Sequence, residues 1–219
     1  MSDSRALRMR LIATARKMSA LGINRGKSGN VSARIDTGFL ITPSALPYDE
    51  TNPGDVVAVD FDGNATGRRK PSSEWRFHRD IYATRPEVRA IVHAHSPFAT
   101  TLACLDRGIP SFHYMIAVAG GSDIRCAPYA TFGTQALSDH AVRALEGRRA
   151  CLLSHHGMIA TGASLKTALA LAVEVETLAE MYWRALLIDE PRSLSQDEMR
   201  DVLEKFDSYS QFTSARSTR

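Results

Sequence analysis

GINRGKSGNVSARI, residues 22–35, contains Gly26-Lys27-Ser28, the closing triplet of a nucleotide-binding P-loop. That loop needs a glycine, four residues and then Gly-Lys-Ser or Thr, set between a strand and a helix so that backbone N–H groups wrap two phosphates. Here only three residues separate Gly22 from Gly26, and the segment before Gly22 has helical spacing. The segment after the triplet is also wrong for a P-loop, because Val31, Ala33 and Ile35 alternate as in a strand. The stretch therefore reads helix, turn, strand, which excludes the nucleotide loop. A turn rich in Gly, Lys, Ser and Asn can still hold a single phosphate, or it can be a plain connection with a solvated lysine.

Upstream, Leu7, Leu11, Ala15 and Met18 recur at helical spacing, which predicts a helix over 4–21 that Gly22 ends. Short strands are expected near 31–35, 39–42 and 55–61, the last closing on the hairpin signal Asp62-Gly63. Pro71 introduces a helix over 73–84, a strand covers 90–95, and the capping pair Ser96-Pro97 opens a helix over 97–105. Thr134 starts a helix to 146, RACLLSHH forms a strand, residues 164–188 make the longest helix, and a final helix covers 195–207. Early hairpins followed by alternating strands and helices predict an α/β fold with a mainly antiparallel sheet covered by helices.

At 219 residues and 44% hydrophobic content the chain can build one sizeable core, and no Pro/Gly/Ser-rich linker divides it. One domain over 1–210 is expected, with a frayed tail over 211–219. The net charge of +3, from 27 basic and 24 acidic side chains, is too small and too scattered to indicate nucleic acid. Cys104, Cys126 and Cys151 are far apart and flanked by apolar residues, so they read as buried free thiols of a cytoplasmic protein. No signal peptide is visible in MSDSRALRMR, and Glu174, Glu176, Glu180 and Arg184 disqualify the most apolar helix as a membrane span.

The sharpest chemical feature is AIVHAHS, residues 90–96. On a strand, side chains two apart share a face, so His93 and His95 can chelate one metal ion. A second strand is read as ending in His155-His156-Gly157, of which alternation admits at most one histidine, without choosing between them. KPSSEWRFH places Glu74 in the first turn of a helix, where a carboxylate can ligate a metal, act as a base or complement the helix dipole. Ser72 and Ser73, with the free N–H groups of the same helix start, form an anion site. Three imidazoles and a carboxylate suit Zn²⁺, and three ligands with an exchangeable fourth suit a catalytic ion that polarises a substrate oxygen.

The chain resembles the class II aldolase/adducin family over nearly its whole length, through GINRGKSGNVSARI, LITPSALPY, KPSSEWRFH, VHAHS, IPSFHYMIAVAGG, CAPYATFGT, HHGMIA and VLEKFDSY in that order. The resemblance implies a three-layer α/β/α fold, assembled as a homotetramer of four-fold symmetry with active sites between subunits. It implies Glu74, His93, His95 and His156 as zinc ligands, with Glu74 also the catalytic acid/base. It assigns Gly29, Asn30, Ser44, Ala45, Ser72 and Ser73 to the phosphate of dihydroxyacetone phosphate. Tyr114 matches a tyrosine that enters the site of a neighbouring subunit, and Tyr209 one that closes over substrate.

The implied reaction cleaves a ketose 1-phosphate, of the L-fuculose type or alternatively 5-deoxyribulose or 5-methylthioribulose 1-phosphate, into dihydroxyacetone phosphate and a small aldehyde. Sugar-phosphate 4-epimerases of this fold typically carry aspartate at the position of Glu74, and a methylthioribulose-1-phosphate dehydratase also shares it; Glu74 with Tyr114 and Tyr209 favours the aldolase. Adducin-type relatives use the fold as a metal-free interaction domain, which the full ligand set argues against. The phosphate end departs from the aldolase pattern twice, with Lys27 in place of threonine and Ala45 in place of glycine. Lys27 is then a candidate cationic contact to the phosphate.

Overall fold

A computed structural model describes residues 3–216, with the side chains of 207 and 209–216 outside the description. Helix α1 (Arg5–Ala20) leads into β1 (Asn30–Ile35), β2 (Gly38–Ile41), β3 (Val57–Asp60) and β4 (Ala65–Thr66). Then come α2 (Trp75–Thr84), β5 (Ala90–Ala94), α3 (Pro97–Ala103), β6 (Cys126–Ala127) and α4 (Gln135–Ala144). The chain continues through β7 (Ala150–Leu153), β8 (Gly157–Gly162), α5 (Leu165–Leu186) and α6 (Gln196–Arg216). The strands form one sheet in the order β4-β3-β2-β1-β5-β8-β7-β6. Every neighbouring pair is antiparallel except β6 and β7, as the expected mainly antiparallel sheet requires.

Side-chain alternation builds the layers. Val31, Ala33 and Ile35 of β1 and Val92 of β5 pack with Leu11 of α1, Leu102 of α3 and Val175 of α5. On the opposite face, Phe39, Ile91 and Ile159 pack with Phe77 and Ile81 of α2 and Leu137 and Ala141 of α4. With both faces covered, each buried aliphatic side chain contributes about 1.5–3 kcal/mol of transfer free energy. The helix read from 4–21 is α1, with Ser4 Oγ accepting from the Leu7 N–H at 3.2 Å and Leu7, Leu11, Ala15 and Met18 all buried. Gly22 ends it at φ 74°, a left-handed backbone that glycine adopts without a steric penalty.

Five expectations need correction. Strand β8 was not anticipated, because GMIATG is short and bounded by glycines; it pairs on both sides, with β5 and β7. His155 and His156 lie in the turn before it and not in a strand. Glu74 is the residue before α2, not in its first turn. Ser96 occupies the cap position of α3, yet its buried hydroxyl makes no hydrogen bond among the described residues. The free N–H groups there are taken instead by Glu176 of α5, which accepts from Phe98 at 2.8 Å and Ala99 at 2.9 Å. Of the three cysteines, only Cys151 is buried; Cys126 is half-buried and Cys104 exposed, all as free thiols. The tail expected over 211–219 lies outside the described side chains, and residues 217–219 lie outside the described residues. No helix among the described residues is long and apolar enough to cross a membrane.

Candidate metal centre and anion pocket

β5 carries His93 on its α2-facing side, and His95 follows one residue past the strand's end. Their period of two puts both imidazoles together, with the Nε2 atoms 3.0 Å apart. His156 arrives from the β7–β8 turn, where His155 takes the left-handed φ of 51°. That reversal leaves His155 half-exposed, 3.8 Å from Asp106 Oδ2, while His156 faces Glu74. The alternative left open by the sequence therefore closes on His156, through a turn and not through strand alternation. Gly157 comes next because a Cβ there would stand 2.5 Å from the Ala94 carbonyl oxygen and 3.0 Å from the His95 ring.

Glu74 completes the cluster from the start of α2, with Oε1 2.8 Å from His156 Nε2 and Oε2 3.2 Å from His93 Nε2. One ligand atom from each of Glu74, His93, His95 and His156 lies within 4.8 Å of the others. These residues fit a metal ion on two observations besides proximity. Glu74 Oε1 is buried and has no hydrogen-bond partner among the described residues, although it faces the imidazoles. His93 Nδ1 lies 2.9 Å from the Met158 carbonyl, to which it donates, so the Nε2 lone pair is directed at the cluster. Burial, then the neighbouring His93 and His156, pushes His95 down to about 3, which keeps it in the neutral, ligating form. Burial opposes ionisation of Glu74, but the neighbouring His93 and His156 outweigh it and hold the carboxyl well below its ordinary range.

Beside the cluster opens a cavity of ≈510 Å³ whose other wall carries Lys27, Gly29, Ser44, Ala45, Ser72 and Ser73. Three loops form that wall, and the two that carry Ser44 and Ser72 are joined by the Pro43–Pro71 bridge and by hydrogen bonds from Ser72 N–H to the Thr42 carbonyl (3.1 Å) and Ser44 N–H to the Lys70 carbonyl (3.0 Å). Ala45 sits there at φ 59°, a left-handed conformation that costs a non-glycine residue roughly 1–2 kcal/mol. Gly29 has no room for a side chain, since a Cβ would stand 2.5 Å from Asn24 Oδ1 and 2.7 Å from the His93 carbonyl oxygen. Its own carbonyl accepts from the Tyr48 hydroxyl. Gly29→Ala is therefore expected to destabilise the protein by about 1–3 kcal/mol, the usual range for overpacking. Thermal unfolding checks this, and an unchanged Tm would show that the loop yields.

Other expected site residues lie elsewhere. Asn30 is buried behind Glu74 and donates from Nδ2 to Oε2 at 2.9 Å, so its side chain does not line the cavity. Tyr114, 51% exposed, opens a 3₁₀ turn outside the cavity. The side chain of Tyr209 lies outside the described residues. The sequence reading passed over Tyr129 and Phe132, exposed aromatics at the cavity's lip. It also missed Ser32, His78 and Tyr82, which hydrogen-bond in line with Asn30. Their signal was present: Glu74, His78 and Tyr82 recur every four residues, polar groups on the buried face of a helix.

Residues 9–183 match the family described as the Class II Aldolase and Adducin N-terminal domain. The chain is 61% identical to the 5-methylthioribulose-1-phosphate/5-deoxyribulose-1-phosphate aldolase of Rhodospirillum rubrum, over 93% of this chain and 92% of the relative. It is 48% identical to the L-fuculose phosphate aldolase of Escherichia coli, over 93% of this chain and 95% of that one. A solved structure of an L-fuculose 1-phosphate aldolase superimposes with a TM-score of 0.91 at 41% identity, covering 94% of this chain and 98% of the other. Fold, cluster and likeness agree: the chain belongs to the class II aldolase and adducin family.

Proposed function

We propose that this class II aldolase is zinc-dependent and reversibly cleaves a ketose 1-phosphate into dihydroxyacetone phosphate and a small aldehyde. The observation that carries the proposal is the convergence of Glu74, His93, His95 and His156 at the edge of a cavity whose far wall is a Gly/Ser/Lys anion cradle. Zinc, when bound, supplies Lewis-acid stabilisation of the negative charge left on the dihydroxyacetone phosphate fragment. The remaining work belongs to the chain. Gly29, Ser44, Ala45, Ser72 and Ser73 hold the phosphate through hydroxyls and backbone N–H groups, and Lys27 adds a cation. Glu74 protonates C3 in the cleavage direction and removes that proton in synthesis. Tyr114 acts in the site of a neighbouring copy of a cytoplasmic homotetramer, moving the proton on the aldehyde-derived oxygen; its exposure in the single chain is consistent with that role. Tyr209 closes over the substrate.

The higher identity to the relative named for methylthioribulose and deoxyribulose phosphates puts 5-methylthioribulose and 5-deoxyribulose 1-phosphate ahead of L-fuculose 1-phosphate as substrates. A coupled dihydroxyacetone phosphate assay with zinc across these three and rhamnulose 1-phosphate tests the proposal. No release from any of them sinks it, and an epimer or a dehydrated product keeps the fold while overturning the reaction. In the same assay Lys27→Thr should raise KM for every active ketose phosphate by about 2–10-fold, the worth of one partly exposed charge contact. An unchanged KM would make Lys27 a solvated turn residue.

A further inference from the structure

Behind Glu74 runs a buried line of hydrogen bonds whose direction is fixed from one end. A carboxylate only accepts, so the Asn30 amide donates from Nδ2 to Glu74 Oε2. Asn30 Oδ1 then faces His78 Nε2 and can only accept, so Nε2 carries the proton. Burial, and secondarily His93, pushes His78 down to about 3, so its ring is neutral and holds that single proton. The bare Nδ1 must accept, and Ser32 Oγ, 2.7 Å away, donates to it. Having given its one proton, Ser32 accepts in turn from the Tyr82 hydroxyl at 2.8 Å. Every member is buried, from Tyr82 at 1% exposure through Ser32 and His78 at 0% to Asn30 at 1%.

We infer that His78 is a positioning residue for Glu74: its Nε2–H tautomer, whose bare Nδ1 is satisfied by Ser32 and, behind it, Tyr82, locks the Asn30 amide so that it presents N–H to the carboxylate. This rests on the aldolase reading of Glu74. The opposite tautomer would flip the amide, set Asn30 Oδ1 against Oε2, and turn the carboxylate out of place. Held from behind through Oε2, Glu74 keeps Oε1 directed at the histidines as the oxygen that moves the proton. Packing alone does not call for a histidine here, because Phe39 and Phe77 flank the ring and an apolar side chain would fill the same space. A buried polar chain of this kind is favourable only when every member is satisfied, and it then specifies one arrangement.

Two measurements test the inference. Imidazole ¹⁵N NMR of the wild-type protein, with the His78 signal identified by its loss in His78→Phe, should show the Nε2–H tautomer with and without zinc. An Nδ1–H tautomer overturns the inference whatever the activity. In kinetics, His78→Phe should lower kcat by about 10–100-fold with KM and bound zinc unchanged, the usual effect of losing an outer hydrogen-bond partner. His78→Gln, whose amide N–H replaces Nε2–H, should recover most of the loss. Full kcat in His78→Phe, or equal losses in both variants, overturns the inference. If the wild type releases dihydroxyacetone phosphate from no ketose phosphate, the aldolase reading fails, and the tautomer of the resting protein still decides the hydrogen-bond line separately.

Discussion

Glu74→Gln is expected to lower kcat by about 10²–10⁴-fold, the range that a positioned general acid/base supplies. Glutamine has the shape of glutamate, and its amide oxygen can still accept from Asn30 Nδ2, so the start of α2 and the cavity wall should keep their form. What it cannot do is take up and return a proton. Three imidazoles remain to hold a metal, so zinc per subunit should stay close to that of the wild type. KM should change little, because the anion cradle is untouched. Solvent-deuterium exchange at C3 of dihydroxyacetone phosphate isolates the proton step from carbon–carbon cleavage and should be lost as well. Wild-type turnover in this variant would remove Glu74 from the acid/base role.

His93→Ala should have the other large effect, by a different route. His93 is fully buried and is the proposed ligand whose Nδ1 donates to the Met158 carbonyl behind it. Outer partners of metal ligands are worth about 10–100-fold in affinity or activity, so loss of the ligand itself should exceed about 10²-fold in metal affinity and take activity with it. The substitution also leaves a carbonyl without its donor, at about 1–3 kcal/mol. A chelator arm separates the two effects. Stripping metal from the wild type should abolish dihydroxyacetone phosphate release while leaving the fold intact, and added zinc should restore it. Full metal content and turnover in His93→Ala would dismiss the cluster as the catalytic centre.

Much of the site was legible where local geometry alone decides it. The alternation of Val31, Ala33 and Ile35 identified β1 and ruled out the nucleotide loop, and the His93–His95 spacing identified the strand that brings two imidazoles together. Resemblance was needed where the chain reverses direction. His156 was separable from His155 only by a left-handed turn residue that a period-two pattern cannot express. β8 was missed because GMIATG is short, bounded by glycines and buried on both faces, and so lacks the alternation that marks a half-buried strand. The Glu176 cap on α3 joins residues far apart in sequence, and no local pattern encodes such a contact. The departure at Ala45 gained a physical meaning once its φ of 59° was seen, since glycine takes that conformation without strain.

The pairing of Asn30 with His93, and of His93 with Ile159, sets the time at which the centre can form during folding. β1, β5 and β8 come from distant parts of the chain, and non-local pairings of this kind close late and slowly. An imidazole cluster that is complete only after three remote strands are in register leaves the unfolded ensemble with at most the local His93–His95 pair as a weak metal site. The rate of metal uptake by the refolding apoprotein is then a clock for completion of the central sheet.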